Sequence, residues 1–268
     1  MTNMNHPRST LYSPGQVTLV GAGPGDPELL TIKAHKAIQA ATLLLVDDLV
    51  SDAIVALGAP GVRVVWVGKR GGCKSTPQSF IERLMITAAR EGENVVRLKG
   101  GDPFMFGRGG EEVEHLQAEG VRVSVVNGIT AGLAAVTSLN TPLTHRDHAH
   151  GVVFVTGHSK PGDAERDWPA LAQAAAHARL TLVIYMGIRG APAIQNGLLQ
   201  GLDRATPVAI VQNVSLAQQQ QALCTLDSLA QTIALQRIAS PAVIVVGDVL
   251  KGAMALSATE LTFTRYVG

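Results

Sequence analysis

The sequence predicts an α/β protein made of two αβα domains with a ligand cleft between them. Nine short apolar segments rich in valine and isoleucine recur along the 268 residues, and helix-like segments separate many of them. Short strands that alternate with longer helices are typical of βα units, so we expect mainly parallel sheets. The polar segment 140–151 separates five strands from four or more, which favours two sheets over a single sheet of nine strands.

The predicted strands are Val17–Val20, Thr42–Val46, Arg63–Val67, Asn94–Leu98, Val121–Val126, Val152–Thr156, Leu180–Tyr185, Pro207–Val211 and Ala242–Val246. The predicted helices are Pro27–Ala40, Pro77–Arg90, Gly110–Glu119, Ile129–Leu139 and Trp168–His177. We place the domain boundary near residue 142. The domains are then 16–142 and 143–252, with a disordered N-terminal tail over 1–15 and a C-terminal tail over 253–268.

The composition is apolar and nearly neutral. Hydrophobic residues make up 46%, charged residues 16%, and the net charge is +1, which indicates neither nucleic acid nor an anionic membrane as a partner. Cys73 and Cys224 lie too far apart for a metal-ligand spacing, so we expect no bound metal and no disulfide framework. The polar N-terminus lacks the apolar region of a signal peptide, and no apolar run reaches about 20 residues. We therefore expect a cytoplasmic protein.

Glycines and polar residues directly follow the predicted strands. In the first half these segments are 21–26, 47–48, 68–72, 99–103 and 127–130; in the second they are 157–158, 186–187, 212–213 and 247–248. In an open parallel sheet such segments lie at one edge, outside the carboxyl ends, where these folds bind ligands. Two such edges facing one another would form the cleft.

Each motif also has a plain structural interpretation. GAGPGD after the first strand departs from the dinucleotide fingerprint and could be a tight turn. Asp47 could cap a helix, Lys69 could be a solvated surface charge, and Met186 could fill the core. The segment KGGDPFMFGRGGEE, with five glycines, is harder to explain as a plain loop, because glycine lets the backbone approach a neighbour or ligand closely.

These motifs together resemble one family. VTLVGAGPGDPELLTIKA, DDLV, VGKRG, VVRLKGGDPFMFGRGGEE, GITAG, PLTHR, TGH, YMG and SPAVIVVGDV occur in this order between Val17 and Val249. They resemble the uroporphyrinogen-III C-methyltransferases of the tetrapyrrole methylase superfamily. The resemblance implies the tetrapyrrole methylase fold, a homodimer, and transfer of two methyl groups from S-adenosyl-L-methionine to C-2 and C-7 of uroporphyrinogen III. The products would be S-adenosyl-L-homocysteine and, by way of precorrin-1, precorrin-2 for sirohaem, cobalamin or specialised haem.

The resemblance also implies site residues. The family's cofactor positions fall on Pro24, Gly100, Gly101, Asp102, Met105, Thr130, Ala131, Met186 and Val214. A proposed acid/base pair falls on Asp47 and Lys69, with Arg108 as a further catalytic candidate. We expect substrate contacts at Arg108, Glu111, Arg146 and Met186. Arginine suits the many carboxylates of this substrate because it binds them bidentately, and its high pKa favours positioning over proton removal.

Three other functions stay open at this stage. One is a superfamily methyltransferase acting on rRNA or a translation factor, which the near-neutral charge and the FGRGGEE and PLTHR motifs disfavour. A second is an oxidoreductase that binds NAD through GAGPGD, which the position of the third glycine disfavours. A third is a non-catalytic module that binds the tetrapyrrole or the cofactor.

Overall fold

The computed structural model describes residues 15–68, 76–158 and 166–255. The chain divides into two compact units, Met1–Thr130 and Ala131–Gly268. Both predicted tails lie almost wholly outside the described residues. None of the described helices is both long and apolar enough to cross a membrane.

The first unit is a parallel sheet covered by helices on both faces. The elements are β1 (Gln16–Gly21), α1 (Ile32–Ala40), β2 (Leu43–Val46), α2 (Asp52–Val55), β3 (Arg63–Trp66), α3 (Gln78–Arg90), β4 (Asn94–Lys99), α4 (Gly109–Ala118) and β5 (Arg122–Val126). The strands lie in the order β3-β2-β4-β1-β5, and every neighbouring pair is parallel. The three interior strands are almost completely buried, as the apolar composition predicts.

Alternate residues of these strands enter two separate cores. Leu43 and Leu45 of β2 pack with Val95 of β4 in the core that includes Leu116 of α4. Leu44 and Val46 of β2, whose side chains point to the other face of the sheet, pack in the core formed with α1 and α2. The period of two along each strand therefore decides which helical layer a side chain meets.

The second unit is built on a mixed sheet. Its elements are α5 (Ala131–Thr137), β6 (Gly151–Thr156), α6 (Trp168–Ala178), β7 (Leu180–Tyr185), α7 (Ala191–Leu198), β8 (Pro207–Gln212), β9 (Gln220–Thr225), α8 (Leu229–Leu235) and β10 (Ala242–Val246). The strands lie in the order β6-β7-β10-β8-β9. The prediction of mainly parallel pairing is wrong for this sheet: β6 pairs parallel to β7, but β10 runs antiparallel to both β7 and β8, and β8 is antiparallel to β9.

Strand β9 is absent from the predicted strands because it is an edge strand with a weak apolar signal. Its sequence QQALCT begins with two exposed glutamines, and only Ala222 and Cys224 are buried. An edge strand with one buried face needs only alternate apolar residues, so it shows no apolar run.

The boundary between the units lies earlier than predicted. Helix α5 contacts β7 and β10, so it belongs to the second sheet rather than to a first domain ending at 142. The backbone N–H of Gly132 donates to the Tyr185 hydroxyl at 2.7 Å, and a Cβ at Gly132 would collide with Val183 and Phe154. This close approach of a short, small-residue helix cannot be read from hydrophobic periodicity.

The first predicted helix also begins later than expected. A short 3-10 turn occupies Pro27–Leu29, and α1 begins only at Ile32. Two caps divide the segment: the Asp26 carboxylate accepts from the N–H of Glu28, and the Thr31 hydroxyl accepts from Ala34 at 3.0 Å.

Candidate functional site

The loops after β1 and β4 are joined through their backbones. Gly23 and Gly101 exchange two backbone hydrogen bonds, with N···O distances of 3.1 and 2.7 Å. The N–H of Ala22 donates to the carbonyl oxygen of Lys99 at 2.8 Å. Because all strands of this sheet are parallel, the segments after β1, β2, β4 and β5 meet at one edge, as predicted. Predicted cofactor residues Pro24, Gly100 and Gly101 lie in these segments.

Glycine is needed at this edge for backbone packing. A Cβ at Gly21 would lie 2.5 Å from the nitrogen of Gly128 and 2.7 Å from the carbonyl oxygen of Gly101. A Cβ at Gly100 would lie 2.7 Å from Cβ of Leu49. The glycines therefore bring the loops after β1, β2, β4 and β5 into direct contact.

The Asp102 carboxylate forms hydrogen bonds within the loop after β4 and to the loop after β5. One oxygen accepts from the N–H of Phe104 at 2.8 Å, and the other accepts from the N–H of Gly128 at 3.1 Å and from Nδ2 of Asn127 at 3.2 Å. Three of about four carboxylate acceptor positions are thus occupied by the protein. Any cofactor contact of this segment would come chiefly from its backbone.

The loop after β1 differs from a dinucleotide-binding loop in structure as well as in sequence. In the dinucleotide fingerprint the glycine-rich turn leads directly into a helix whose N-terminus faces the pyrophosphate. Here the 3-10 turn Pro27–Leu29 and the cap Thr31 separate the glycines from α1. This geometry counts against the NAD-binding interpretation.

The loop after β4 combines exposed aromatic side chains with strained backbone. Phe104 and Phe106 are 57% and 39% exposed, and Leu49 in the loop after β2 is 57% exposed. Phe106 and Arg108 have φ values of 54° and 59°, a region that non-glycine residues rarely adopt. Apolar side chains held in the open beside backbone polar groups suit a ligand with a flat ring and polar substituents, such as an adenosyl group.

Arg108 and Glu111, two predicted substrate-binding residues, pair with each other. Nε of Arg108 donates to Oε2 of Glu111 at 3.0 Å, and its Nη2 contacts the same oxygen. Both side chains are about half exposed, at 53% and 48%. The hydrogen bond to Glu111 raises the pKa of Arg108, so the guanidinium stays protonated and acts as a cation rather than as a base.

Asp47, the predicted acid/base candidate, lies at the end of β2 with both oxygens engaged. Oδ1 accepts from the N–H of Asp48 at 3.0 Å, and Oδ2 lies 3.8 Å from Nη2 of Arg97. The side chain is 35% exposed. Its predicted partner Lys69 lies outside the described residues.

Behind Asp47 lie three buried charged residues that are absent from the predicted site residues. Arg97 and Lys99 of β4 both pair with Glu112 of α4, at 3.4 and 3.0 Å, and Gln78 of α3 donates to Glu112 at 2.9 Å. Arg97, Lys99 and Glu112 are 2%, 3% and 0% exposed. We call Arg97, Lys99, Glu112 and Asp47 the ion cluster. Its signal in the sequence is two cations at alternate positions of the strand NVVRLK, among valine and leucine.

Burial is the dominant electrostatic influence on Lys99. Desolvation by burial, followed by the neighbouring Arg97 charge, lowers the pKa of Lys99, while Glu112 and Asp47 oppose the shift. A buried cation of this kind needs its anionic partner in place.

In the second unit, the ends of β6, β7 and β8 point to the same edge, because β10 is antiparallel to both β7 and β8 and β6 is parallel to β7. The segment 247–248 after β10 therefore lies at the opposite edge, and its predicted place beside the others is wrong. Met186, at φ 53°, follows β7 and is 49% exposed. The predicted cofactor residue Val214 is 5% exposed and follows β8, between Asn213 and Ser215, which both have positive φ.

The remaining predicted residues occupy turns and element ends. Arg146 is exposed in a turn closed by two hydrogen bonds between the backbones of His145 and Ala149. Met105 lies in a turn, and its backbone N–H donates to the carbonyl oxygen of Asp102 at 3.2 Å. Thr130 is the last residue of the first unit and is 8% exposed, and Ala131 begins α5 of the second. In the described ranges, no group of three or more His, Cys, Asp or Glu side chains is arranged to hold a metal ion.

Comparison with known proteins gives a consistent picture. Residues 16–230 match the family model Tetrapyrrole (Corrin/Porphyrin) Methylases. A uroporphyrinogen-III C-methyltransferase of Pseudomonas aeruginosa is 49% identical over 238 residues, which cover 88% of this chain and 95% of that protein. Siroheme synthase 2 of Aeromonas hydrophila is 49% identical over 237 residues, 88% of this chain. The chain spans about half the length of that synthase, 49%.

Solved structures show the same fold. The native form of uroporphyrin III C-methyl transferase from Thermus thermophilus has a TM-score of 0.74 and 39% identity, covering 88% of this chain and 93% of that one. The Thermus thermophilus enzyme complexed with S-adenyl homocysteine has a TM-score of 0.74 and 40% identity, covering 88% of this chain and 99% of that one.

Proposed function

Because this chain belongs to the tetrapyrrole methylases, we propose that it methylates uroporphyrinogen III with S-adenosylmethionine as the methyl donor. The loop after β4 carries this proposal. It holds the Gly100–Asp102 backbone against the neighbouring loops, exposes Phe104 and Phe106, and ends on the exposed cation Arg108. One segment thus offers features for both an adenosyl group and a carboxylate-rich substrate.

The cofactor would be held mainly by backbone. In the first unit Pro24, Gly100, Gly101 and Asp102 supply rigid loop backbone, and Met105 and Thr130 belong to the same group of loops. In the second unit the candidates are Ala131, Met186 and Val214. Val214 is buried between two residues of positive φ, so its backbone rather than its side chain is the group it can offer.

The substrate carboxylates would be held by arginine. Arg108 is a cation whose side chain is about half exposed, and Arg146 is exposed in its turn. The contacts of Glu111 with Nε and Nη2 fix the direction of the planar Arg108 guanidinium. Arginine binds carboxylates bidentately and holds the ring in a set orientation.

S-adenosylmethionine supplies an electrophilic methyl group on a positively charged sulfur. The pyrrole ring supplies the electrons for the new carbon–carbon bond, so the protein's main task is to align the two reactants. Asp47, held at the edge of the sheet, is the described carboxylate we assign to orienting the pyrrole or accepting its proton. Lys69 would complete that pair.

Assembly and location are part of the same proposal. A homodimer in the cytoplasm is supported by the family resemblance alone. Light scattering on the purified chain is expected to give twice the mass of the 28.0 kDa chain.

The direct test is turnover. The purified protein is incubated anaerobically with S-adenosylmethionine and uroporphyrinogen III, and the tetrapyrrole is analysed by mass spectrometry. Two added methyl groups are expected. A protein that leaves the tetrapyrrole unmodified but binds NAD tightly would contradict the proposal.

A further inference from the structure

The guanidinium of Arg97 contacts both the interior of the first unit and the edge of its sheet. We call this edge, where the loops after β1, β2, β4 and β5 meet, the functional edge. Nε faces Glu112 at 3.4 Å, Nη1 donates to the carbonyls of Leu98 at 3.2 Å and Leu45 at 3.4 Å, and Nη2 faces Asp47 at 3.8 Å. Nε and Nη1 thus lie within hydrogen-bond distance of their partners, and Nη2 lies within ion-pair distance of Asp47. Arginine is suited to this because its donors are fixed in one plane.

The anchor of Arg97 is itself firmly held. Glu112 is completely buried and is paired with Lys99 and hydrogen-bonded by Gln78. Its position is thereby fixed by two helices and a central strand of the sheet. Asp47 is the one member of the ion cluster with substantial exposure, 35% against 3% or less for the side chains of the other three.

The charges of the ion cluster balance only when Asp47 is included. Arg97 and Lys99 carry two positive charges, and Glu112 supplies one negative charge. The remaining positive charge is directed at the Asp47 carboxylate, since Nη2 of Arg97 is its nearest cationic atom in the cluster. Charges removed from water need such pairing. The buried Arg97 charge therefore attracts the Asp47 carboxylate to the position beside its guanidinium.

We propose that Arg97 is a positioning residue that fixes the Asp47 carboxylate at the functional edge, with Glu112 as its buried anchor. This inference rests on the proposed function for its effect on the reaction rate, but its structural part does not. Arg97 needs no contact with substrate or cofactor. It acts only through Asp47, and the rate effect of changing it disappears when Asp47 is already altered.

The test is a double-mutant cycle with Arg97→Lys and Asp47→Asn. Arg97→Lys keeps the buried charge but loses the fork, so one ammonium cannot face Glu112 and Asp47 in the same way. The matched control is Arg90→Lys, which alters an exposed arginine paired with Glu119 at 2.8 Å. Binding of S-adenosylhomocysteine, measured by calorimetry, confirms that each variant is folded.

Arg97→Lys is expected to lower kcat about 10- to 100-fold, the scale on which misplaced catalytic groups slow reactions, while KM for S-adenosylmethionine stays within about twofold. Arg90→Lys is expected to leave both unchanged. The double variant is expected to be no slower than Asp47→Asn alone. Independent, multiplying losses in the double variant would overturn the proposal, as would an unchanged kcat in Arg97→Lys.

A crystal structure of Arg97→Lys gives a readout that needs no turnover. The Asp47 carboxylate is expected to leave its position beside residue 97, and an unmoved carboxylate would overturn the proposal. If the unaltered protein transfers no methyl group, the proposed function fails while this structural comparison still decides the inference.

Discussion

At the residue scale, the first unit depends on a buried anion. Glu112 is the partner of both buried cations, Arg97 and Lys99, and its own burial is complete. Desolvation makes such charges costly, and pairing with a carboxylate offsets that cost. Removing the carboxylate would leave two neighbouring cations with no buried counter-charge. The folded state should therefore respond far more to a change at Glu112 than to one at any surface pair.

We predict that Glu112→Gln lowers the free energy of unfolding by about 3–5 kcal/mol, the cost of breaking a buried ion pair. The matched control Glu119→Gln alters the exposed pair with Arg90 and should cost about 1 kcal/mol or less. Urea denaturation followed by circular dichroism measures both values. Equal, small effects of the two variants would show that the ion cluster contributes little to stability.

A second prediction concerns substrate binding by Arg108. Arg108→Lys keeps the charge but removes the bidentate fork, so KM for uroporphyrinogen III should rise about 10-fold, a loss of about 1.4 kcal/mol. KM for S-adenosylmethionine should stay unchanged. Steady-state kinetics with each reactant varied in turn provides the measurement. An unchanged KM for the tetrapyrrole would remove Arg108 from the substrate site.

A third prediction concerns alkaline pH and Cys224. Burial raises the pKa of this thiol above 9.0, and the folded state therefore favours the neutral form. The resulting stabilisation is fully present below pH 9.0 and is lost as the pH rises through the folded pKa. Unfolding free energies measured from about pH 7 to about pH 10, a range that spans the ordinary thiol pKa, should fall more steeply for the unaltered chain than for Cys224→Ala. Parallel curves would contradict this assignment.

At the scale of elements, the functional edge of the first unit depends on loops that touch through glycine. Gly21, Gly101 and Gly128 lie so close that a Cβ on Gly21 or Gly128 would collide with backbone. Backbone cannot move aside as the end of a flexible side chain can. These loops thus form one layer, and a change in any of them should be felt by the others.

We predict that Gly21→Ala destabilises the protein by about 1–3 kcal/mol, the usual cost of overpacking, and weakens binding of S-adenosylhomocysteine. The control is Gly110→Ala in α4, where a Cβ would meet nothing within 4 Å. That change should stabilise the helix by about 0.5–1 kcal/mol. Thermal unfolding and calorimetry report the two effects. A Gly21→Ala protein with unaltered stability and binding would show that the loops can separate.

For the whole molecule, the strand-by-strand prediction held best in the first unit. There each strand is short, apolar and followed by glycine or a polar residue, so the strand positions and the edge at which their following loops meet were both predictable. In the second unit the ends of β6, β7 and β8 share an edge, but β10 is reversed, and nothing local in AVIVV reveals the direction of a buried strand.

The residues of the candidate site differ in the same way: some belong to contiguous motifs, and others come together only when distant elements pack. Gly101 and Arg108 could be proposed as site residues from the sequence because their motifs are contiguous in the chain. Arg97, Glu112 and Gln78 are joined only after β4, α4 and α3 pack together. A cation within a strand gives no indication of its partner, so the ion cluster required the structure.

The most direct test of the proposed function uses S-adenosylmethionine with a carbon-13-labelled methyl group. The product of anaerobic incubation with uroporphyrinogen III is examined by NMR. The proposed function predicts two labelled methyl groups, both bonded to pyrrole carbons at C-2 and C-7. Label on carboxylate oxygens, or none in the tetrapyrrole, would contradict it.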